Sequence, residues 1–301
     1  MITRRRLIAS TLGAGAALAT AGCMTTLSSS KRMVVDAQVH IWNADRQWGG
    51  VKPQMPEPFT IEKLVPMMDE AGVDRVVIVP PTPLGNGYGL EAAKRYPSRF
   101  AVMGRIALQD PKSAELLPKW RSQPGMLGVR LLFAGATENW LTDGTADWFW
   151  PVAERAGVPV MFLAPEKGPE FGRIAERHPQ LNLIIDHMGL SAAIVSAGRA
   201  LSAIEHARSL AKYPNVSVKL SAAPNYSSQP YPYRDMYQHI HRLFDAFGPQ
   251  RCHWGTDITN AFEKATYQQR IAHFTETLDF LTEADKDWVM GRGILGRLNW
   301  A

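Results

Sequence analysis

Eight short apolar runs rich in β-branched residues recur along the chain, each followed by a stretch with helical character, and this alternation limits the fold more than any other feature. The runs are MVVDAQVHI (33–41), RVVIVP (75–80), FAVMGRIAL (100–108), MLGVRLLF (126–133), VPVMFLA (158–164), LNLIIDHMG (181–189), NVSVKLS (215–221) and RCHWGTD (251–257). Between them IEKLVPMMDEAG ends on Gly72 and WFWPVAERAG on Gly157, glycines placed to take the left-handed backbone past a helix end, while FGRIAERHP is stopped by Pro179. Strand and helix in regular alternation predict a parallel sheet covered by helices. Eight repeats within 301 residues point to a single α/β domain, a (β/α)8 TIM barrel over residues 33–301, rather than an open doubly wound sheet.

The first 23 residues stand apart from that pattern. A basic start, an apolar Ala/Leu/Gly stretch without an amphipathic stripe, and small residues at the end give the layout of an export signal over 1–23. Thr3-Arg4-Arg5-Arg6-Leu7-Ile8 resembles a twin-arginine motif, Ala19-Thr20-Ala21 offers a cleavage site, and Gly22-Cys23 resembles the end of a lipoprotein box. The expectation is an exported, periplasmic protein, released or anchored through lipid at Cys23, with no other membrane contact. Apolar residues at 46% and charged residues at 20% exclude disorder and a membrane bundle for the remainder. The formal charge of +5 falls to +2 without the three arginines of the leader, too little to argue for nucleic acid. Cys252 is then the one cysteine besides Cys23, so no intrachain disulfide is expected.

Barrel enzymes carry their chemistry at the C-terminal ends of the strands. Side chains alternate along a strand, which predicts Asp36, Gln38 and His40 on one face of the first strand and Val35, Ala37, Val39 and Ile41 on the other. The apolar set must meet the helices, so Gln38 and His40 point into the barrel. The same reasoning turns Ser217, Lys219 and Ser221 inward, and Arg130 with Gly128 and Leu132. Asp257 ends the last strand above His253, and in LNLIIDHMG either Asp186 or His187 faces inward, but not both. Inward polar groups at five strand ends need one another, water or a ligand. Long aromatic loops after strands one, four and seven place Trp42, Trp48, Trp140, Tyr226, Tyr231 and Tyr233 around the mouth, suiting a small ring-shaped or apolar molecule. The GNGYG stretch at 85–89 lacks a P-loop lysine and reads as a flexible loop, and His178, His206 and His273 read as surface or capping residues.

VDAQVHIW, GVRLLF, IIDHMGL, VSVKLS, WGTDIT and VMGRGILGRLNW, in this order over nearly all of 33–301, make the chain resemble the amidohydrolase-related (amidohydrolase 2) barrels, which include sugar lactonases, 2-pyrone-4,6-dicarboxylate lactonase and some decarboxylases. That family carries His-x-His on its first strand, a His on a middle strand and an Asp on the last. The matching positions are Gln38-Val39-His40, His187 and Asp257, and Gln38 is the departure. An amide oxygen is a weaker ligand than imidazole. The resemblance therefore leaves open one divalent ion, Zn or Mn, on His40, His187 and Asp257, its binding weakened by Gln38, or a metal-free site as in the dicarboxylate lactonase.

The reaction implied is hydrolysis of a lactone or related carboxylic ester of a small organic acid. Asp257 is the general base for water, with or without a metal; His187, His40 and Gln38 polarise the carbonyl and stabilise its oxyanion. Arg130, with Lys219 and Arg105, is the candidate for a substrate carboxylate, and Trp42 and Tyr226 for its ring. Against the carboxylate role, Arg130 and Lys219 would also serve as internal ion pairs closing the barrel. The alternatives are a metal-dependent non-oxidative decarboxylase of the same superfamily, which Gln38 disfavours, and an inactive periplasmic binding barrel. The absence of a G-x-S-x-G elbow disfavours a serine hydrolase.

Overall fold

All eight apolar runs become strands of one parallel sheet, hydrogen-bonded in sequence order. The strands are β1 (Val35–Val39), β2 (Arg75–Ile78), β3 (Phe100–Gly104), β4 (Met126–Leu132), β5 (Val160–Leu163), β6 (Leu183–Ile185), β7 (Val216–Lys219) and β8 (Cys252–His253). The computed structural model describes residues 31–42 and 58–301. The leader over 1–23, Cys23 and Trp48 lie outside the described residues. Backbone bonds from Ala37 N to Trp254 O (3.3 Å) and from Asp257 N to Gln38 O (3.0 Å) bring the last strand back against the first. The result is a (β/α)8 TIM barrel.

The helix signals hold where their physical cause is local. The helix Ile61–Ala71 ends with Gly72 at φ 74°, Phe149–Arg155 is followed by Gly157 at φ 60°, and Gly168–Arg177 stops ahead of Pro179. GNGYG is not a loop but opens the helix Asn86–Arg95. The helix lies close on the barrel wall at Gly89, where a Cβ would sit 3.3 Å from Ile78 and Val102. Among the described residues no helix is long and apolar enough to cross a membrane.

Apolar side chains form two layers. Val35, Ala37, Val77, Val79, Ala101, Met103, Met161 and Ile184 fill the lower barrel interior. Val76, Ile78, Val102, Val129, Val160, Phe162, Val216 and Val218 belong to the larger layer shared with the helices. Strict alternation fails on β1. Its register against β2 shifts between Asp36 and Val39, so Val35 and Ala37 face the interior, and Gln38 and His40 also turn inward beyond the bulge. Asp36 is thereby removed from the face predicted for it. It is fully buried and accepts bonds from Thr256 N (2.8 Å), Thr256 Oγ1 (2.5 Å) and Tyr267 Oη (2.7 Å), tying β1 to the segment that carries Asp257.

Trp42 also departs from expectation. Its backbone bridges to Phe59 and its indole packs at 5.7 Å from the Phe59 ring, fully buried in the helix-side layer, so it cannot touch a substrate in the barrel mouth. Tyr233 is likewise buried, edge-on to His273, which is itself fully buried rather than a surface or capping residue.

Candidate active site

Four residues meet at the top of the barrel. β1 supplies Gln38, the residue just past its end is His40, the turn after β6 supplies His187, and the turn after β8 supplies Asp257. His187 and Asp257 both take left-handed backbone, φ 51° and 48°, strained for side chains with a Cβ. This explains why Asp186 and His187 are both inward although they are adjacent. Asp186 leaves β6 extended and points in, and the reversal at His187 swings the imidazole back over the barrel.

The distances are those of one cluster. His40 Nε2 lies 3.1 Å and His187 Nε2 3.8 Å from the Asp257 carboxylate. Gln38 Nε2 lies 3.1 Å from His187 Nε2, 3.3 Å from Asp257 Oδ1 and 3.5 Å from His40 Nε2. His40 Nδ1 donates to the Val79 carbonyl at 2.6 Å, because a carbonyl only accepts. His187 Nδ1 meets Ser221 Oγ at 2.8 Å. Asn260, which the sequence pattern did not single out, donates to both Asp257 oxygens at 2.9 Å. Its only sequence signal is its place three residues beyond a strand-end Asp.

Burial would raise the Asp257 carboxyl, but His187, His40 and Asn260 outweigh it and hold the group well below the usual carboxylate range. Burial lowers His187 from 6.5 to about 4, against the pull of Asp257, so its imidazole is neutral at pH 7. Beneath the cluster Asp186 takes Lys219 Nζ at 2.8 Å and Arg130 Nε at 2.9 Å. Burial again pushes this carboxyl up, yet the two cations prevail and set it at about 2. For Lys219 the balance goes the other way: burial outweighs the pull of Asp186 and Asp257 and leaves the ammonium below its ordinary value. Its Nζ also donates to Gln38 Oε1. Lys219 is fully buried and does not line the cavity, so it positions Gln38 instead of meeting a substrate carboxylate.

Above the cluster opens a cavity of about 450 Å³. Gln38, His40, Arg105, Arg130, His187, Tyr226 and Asp257 line it, whereas Trp42, Trp140, Tyr231 and Tyr233 do not. Tyr226 stands 6.4 Å edge-on to His187 and donates to the Leu190 carbonyl at 3.1 Å. Arg105 is clamped through its backbone: Asn86 accepts from Arg105 N and donates to Arg105 O, both at 2.8 Å. Among the described residues its guanidinium has no hydrogen bond or ion pair; burial, reinforced by Arg130, brings it down to about 9.

A family model described as Amidohydrolase matches residues 35–292. The chain belongs to the amidohydrolase family. Among solved structures it is similar to an amidohydrolase from Burkholderia multivorans with bound zinc, at 20% identity and a TM-score of 0.78 over 89% of this chain and 99% of that one. A probable 2-pyrone-4,6-dicarboxylic acid hydrolase from Acinetobacter baumannii with citric acid bound gives 18% and 0.70 over 89% and 99%. The 5-carboxyvanillate decarboxylase of Sphingomonas paucimobilis gives 13% and 0.64 over 89% and 99%. At such identities the likeness extends to the fold alone. Curated proteins gave no match.

Family membership makes this an enzyme scaffold often built around a metal, and the donor atoms of this amidohydrolase can be tested for one. His40 Nε2, His187 Nε2 and an Asp257 oxygen suit zinc or manganese. The fourth corner does not. Lys219 can only donate, so the Gln38 oxygen faces it and the amide N–H groups face the two imidazoles and the carboxylate. A nitrogen bearing two hydrogens offers no lone pair to a cation. As arranged, the residues do not fit a metal.

Proposed function

We propose that this amidohydrolase cleaves a lactone or related carboxylic ester of a small organic acid carrying a free carboxylate. The observation that supports this reading is the pairing, in one cavity of about 450 Å³, of an ionised Asp257 beside two imidazoles with the Arg105 guanidinium, unpaired among the described residues, and the half-paired Arg130. A general base next to a carboxylate-binding fork is what ester hydrolysis of an anionic substrate requires.

In the proposed reaction a water molecule held on Asp257 gives its proton to the carboxylate as its oxygen attacks the carbonyl carbon. The C–O bond of the ring then breaks, and the proton passes from Asp257 to the departing oxygen, leaving a hydroxy acid or, from an enol lactone, the enol of an oxo acid. Asp257 stays ionised between turnovers because its neighbours favour the anion. His40, anchored through Nδ1 on the Val79 carbonyl with Nε2 3.1 Å from the same carboxylate, and His187, whose Nε2 accepts from the Gln38 amide, hold Asp257 and the amide in place beside the reacting carbonyl. Arg130 is fixed through Nε to Asp186, which leaves the outer edge of its fork for a substrate carboxylate.

Asp257→Asn tests the assignment. Losing a general base typically costs about 10²–10⁴-fold in rate. Hydrolysis of carboxylated lactones by the wild type that persists within tenfold in Asp257→Asn, by ring-opening assay, would remove Asp257 from the role.

A further inference from the structure

Around the Gln38 amide nitrogen, three polar atoms lie close to the separations of a tetrahedral ion's ligands, with His187 Nε2 farther, 3.8 Å, from the Asp257 carboxylate. Zinc with bonds of about 2.0–2.1 Å holds its ligands roughly 3.3–3.4 Å apart. Here Gln38 Nε2 is 3.1 Å from His187 Nε2, 3.3 Å from Asp257 Oδ1 and 3.5 Å from His40 Nε2, and His40 Nε2 is 3.1 Å from Asp257 Oδ1. The spacing suits an ion, and the chemistry of one corner opposes it.

That corner is held in its opposing state by groups below it. Lys219 donates to Gln38 Oε1, and turning the amide over would set N–H groups against a buried ammonium. Lys219 cannot move aside. Its Nζ is tied to Asp186 Oδ1 at 2.8 Å and packed against Met161 Sδ at 3.4 Å, with no exposed surface. Asp186 is held in turn by Arg130 at 2.9 Å.

We propose that the Gln38 carboxamide, locked by Lys219 and Asp186, replaces a divalent cation as the group that joins His40, His187 and Asp257, so that the chain neither requires nor retains a divalent metal. The amide N–H groups take over the structural part of the ion's task. They donate to His187 Nε2, which places the ring proton on Nδ1, facing Ser221, and they hold Asp257 in register with both imidazoles. Gln38 is a positioning residue in this account. The inference rests on site geometry and stands whether or not the substrate is a lactone.

Metal binding itself is the test, and it uses no substrate. The full chain purified without chelators is assayed for bound metal, then titrated with zinc by calorimetry and with cobalt(II) by visible absorption, alongside Gln38→His and Gln38→Glu. The glutamate variant keeps the shape of glutamine, so it guards against a folding failure of the histidine variant. We expect less than one-tenth equivalent of metal and no cobalt ligand-field bands in the wild type. Zinc affinity rises at least a hundredfold in Gln38→His or in Gln38→Glu, with tetrahedral cobalt bands. Near-stoichiometric metal in the wild type, or zinc affinities within tenfold across all three proteins, would overturn the proposal. Loss of lactone hydrolysis in Asp257→Asn bears on the reaction alone and leaves this result untouched.

Discussion

Asp186 carries two buried cations at once, and its removal is the perturbation whose size the structure defines best. In Asp186→Asn the Lys219 ammonium, without exposed surface, loses its ion-pair partner and keeps neutral contacts, the Gln38 oxygen, the Ala37 carbonyl at 3.5 Å and Met161 Sδ at 3.4 Å. Breaking one side of a buried ion pair typically costs about 3–5 kcal/mol, because a charge stays behind without compensation. For a domain near this size, each kcal/mol shifts Tm by about 2–4 °C, so the variant should melt roughly 6–20 °C lower. Adding Lys219→Met removes the stranded charge and leaves a chain of similar length among Met161 and Ala37. Arg130 reaches the cavity and keeps access to water. The double variant should therefore regain at least about 2 kcal/mol over the sum of the two single changes, well beyond the 0.3–0.5 kcal/mol scatter of independent sites. Urea unfolding of all four proteins at pH 7 measures the coupling. Additive losses within that scatter would show that Asp186 and Lys219 do not act as a pair, and the account of the locked Gln38 amide would fall with it.

Arg105→Met should raise KM for a carboxylated lactone by roughly 10–100-fold, the worth of one charged hydrogen bond, and leave kcat and the hydrolysis of uncharged lactones nearly unchanged; an equal effect on both substrates would place Arg105 outside carboxylate recognition. Acid should weaken the fold between pH 6.5 and 4. Burial brings His187 and His273 from 6.5 to about 4 in the folded chain, so below 6.5 the unfolded chain binds protons the folded one refuses, and stability falls as pH falls. Each group is worth on the order of 2–3 kcal/mol at pH 4.5. Neither ring nitrogen of His273 has a hydrogen-bond partner among the described residues, so His273→Phe should shrink the loss between pH 7 and pH 4.5 by its share. A loss unchanged in that variant would show that His273 titrates in the folded protein as it does in water.

The barrel was legible because its signal is repeated: eight β-branched runs, with helices closed by Gly72 and Gly157, are each readable within ten or so residues. Gln38, His40, His187 and Asp257 were legible for the same reason, since each sits at the end of a run. What failed were inferences that depend on a regular backbone. The bulge on β1 sent Asp36 to Thr256 and Tyr267, and the left-handed turn at His187 let two adjacent residues face inward. Nothing local in the sequence announces either. Trp42 and Lys219 failed differently: residue type suggested a substrate contact, and only the three-dimensional packing shows one against Phe59 and the other beneath Gln38.

Those failures are connected to the chemistry. A strictly alternating β1 would put Asp36 on the same inward face as Gln38. With Asp36 removed from that face by the bulge, Lys219 finds its carboxylate on Asp186 and its other acceptor in the Gln38 oxygen. The amide orientation follows, and with it the direction in which its N–H groups face. Gln38 alone is therefore an incomplete description of how this site departs from His-x-His. The departure is a set comprising Gln38, Lys219, Asp186 and the bulge, so restoring histidine at position 38 also strips Lys219 of its neutral partner. A Gln38→His protein that gains zinc should accordingly lose some stability when the metal is withdrawn, and its melting temperature should depend on zinc concentration where that of the wild type does not.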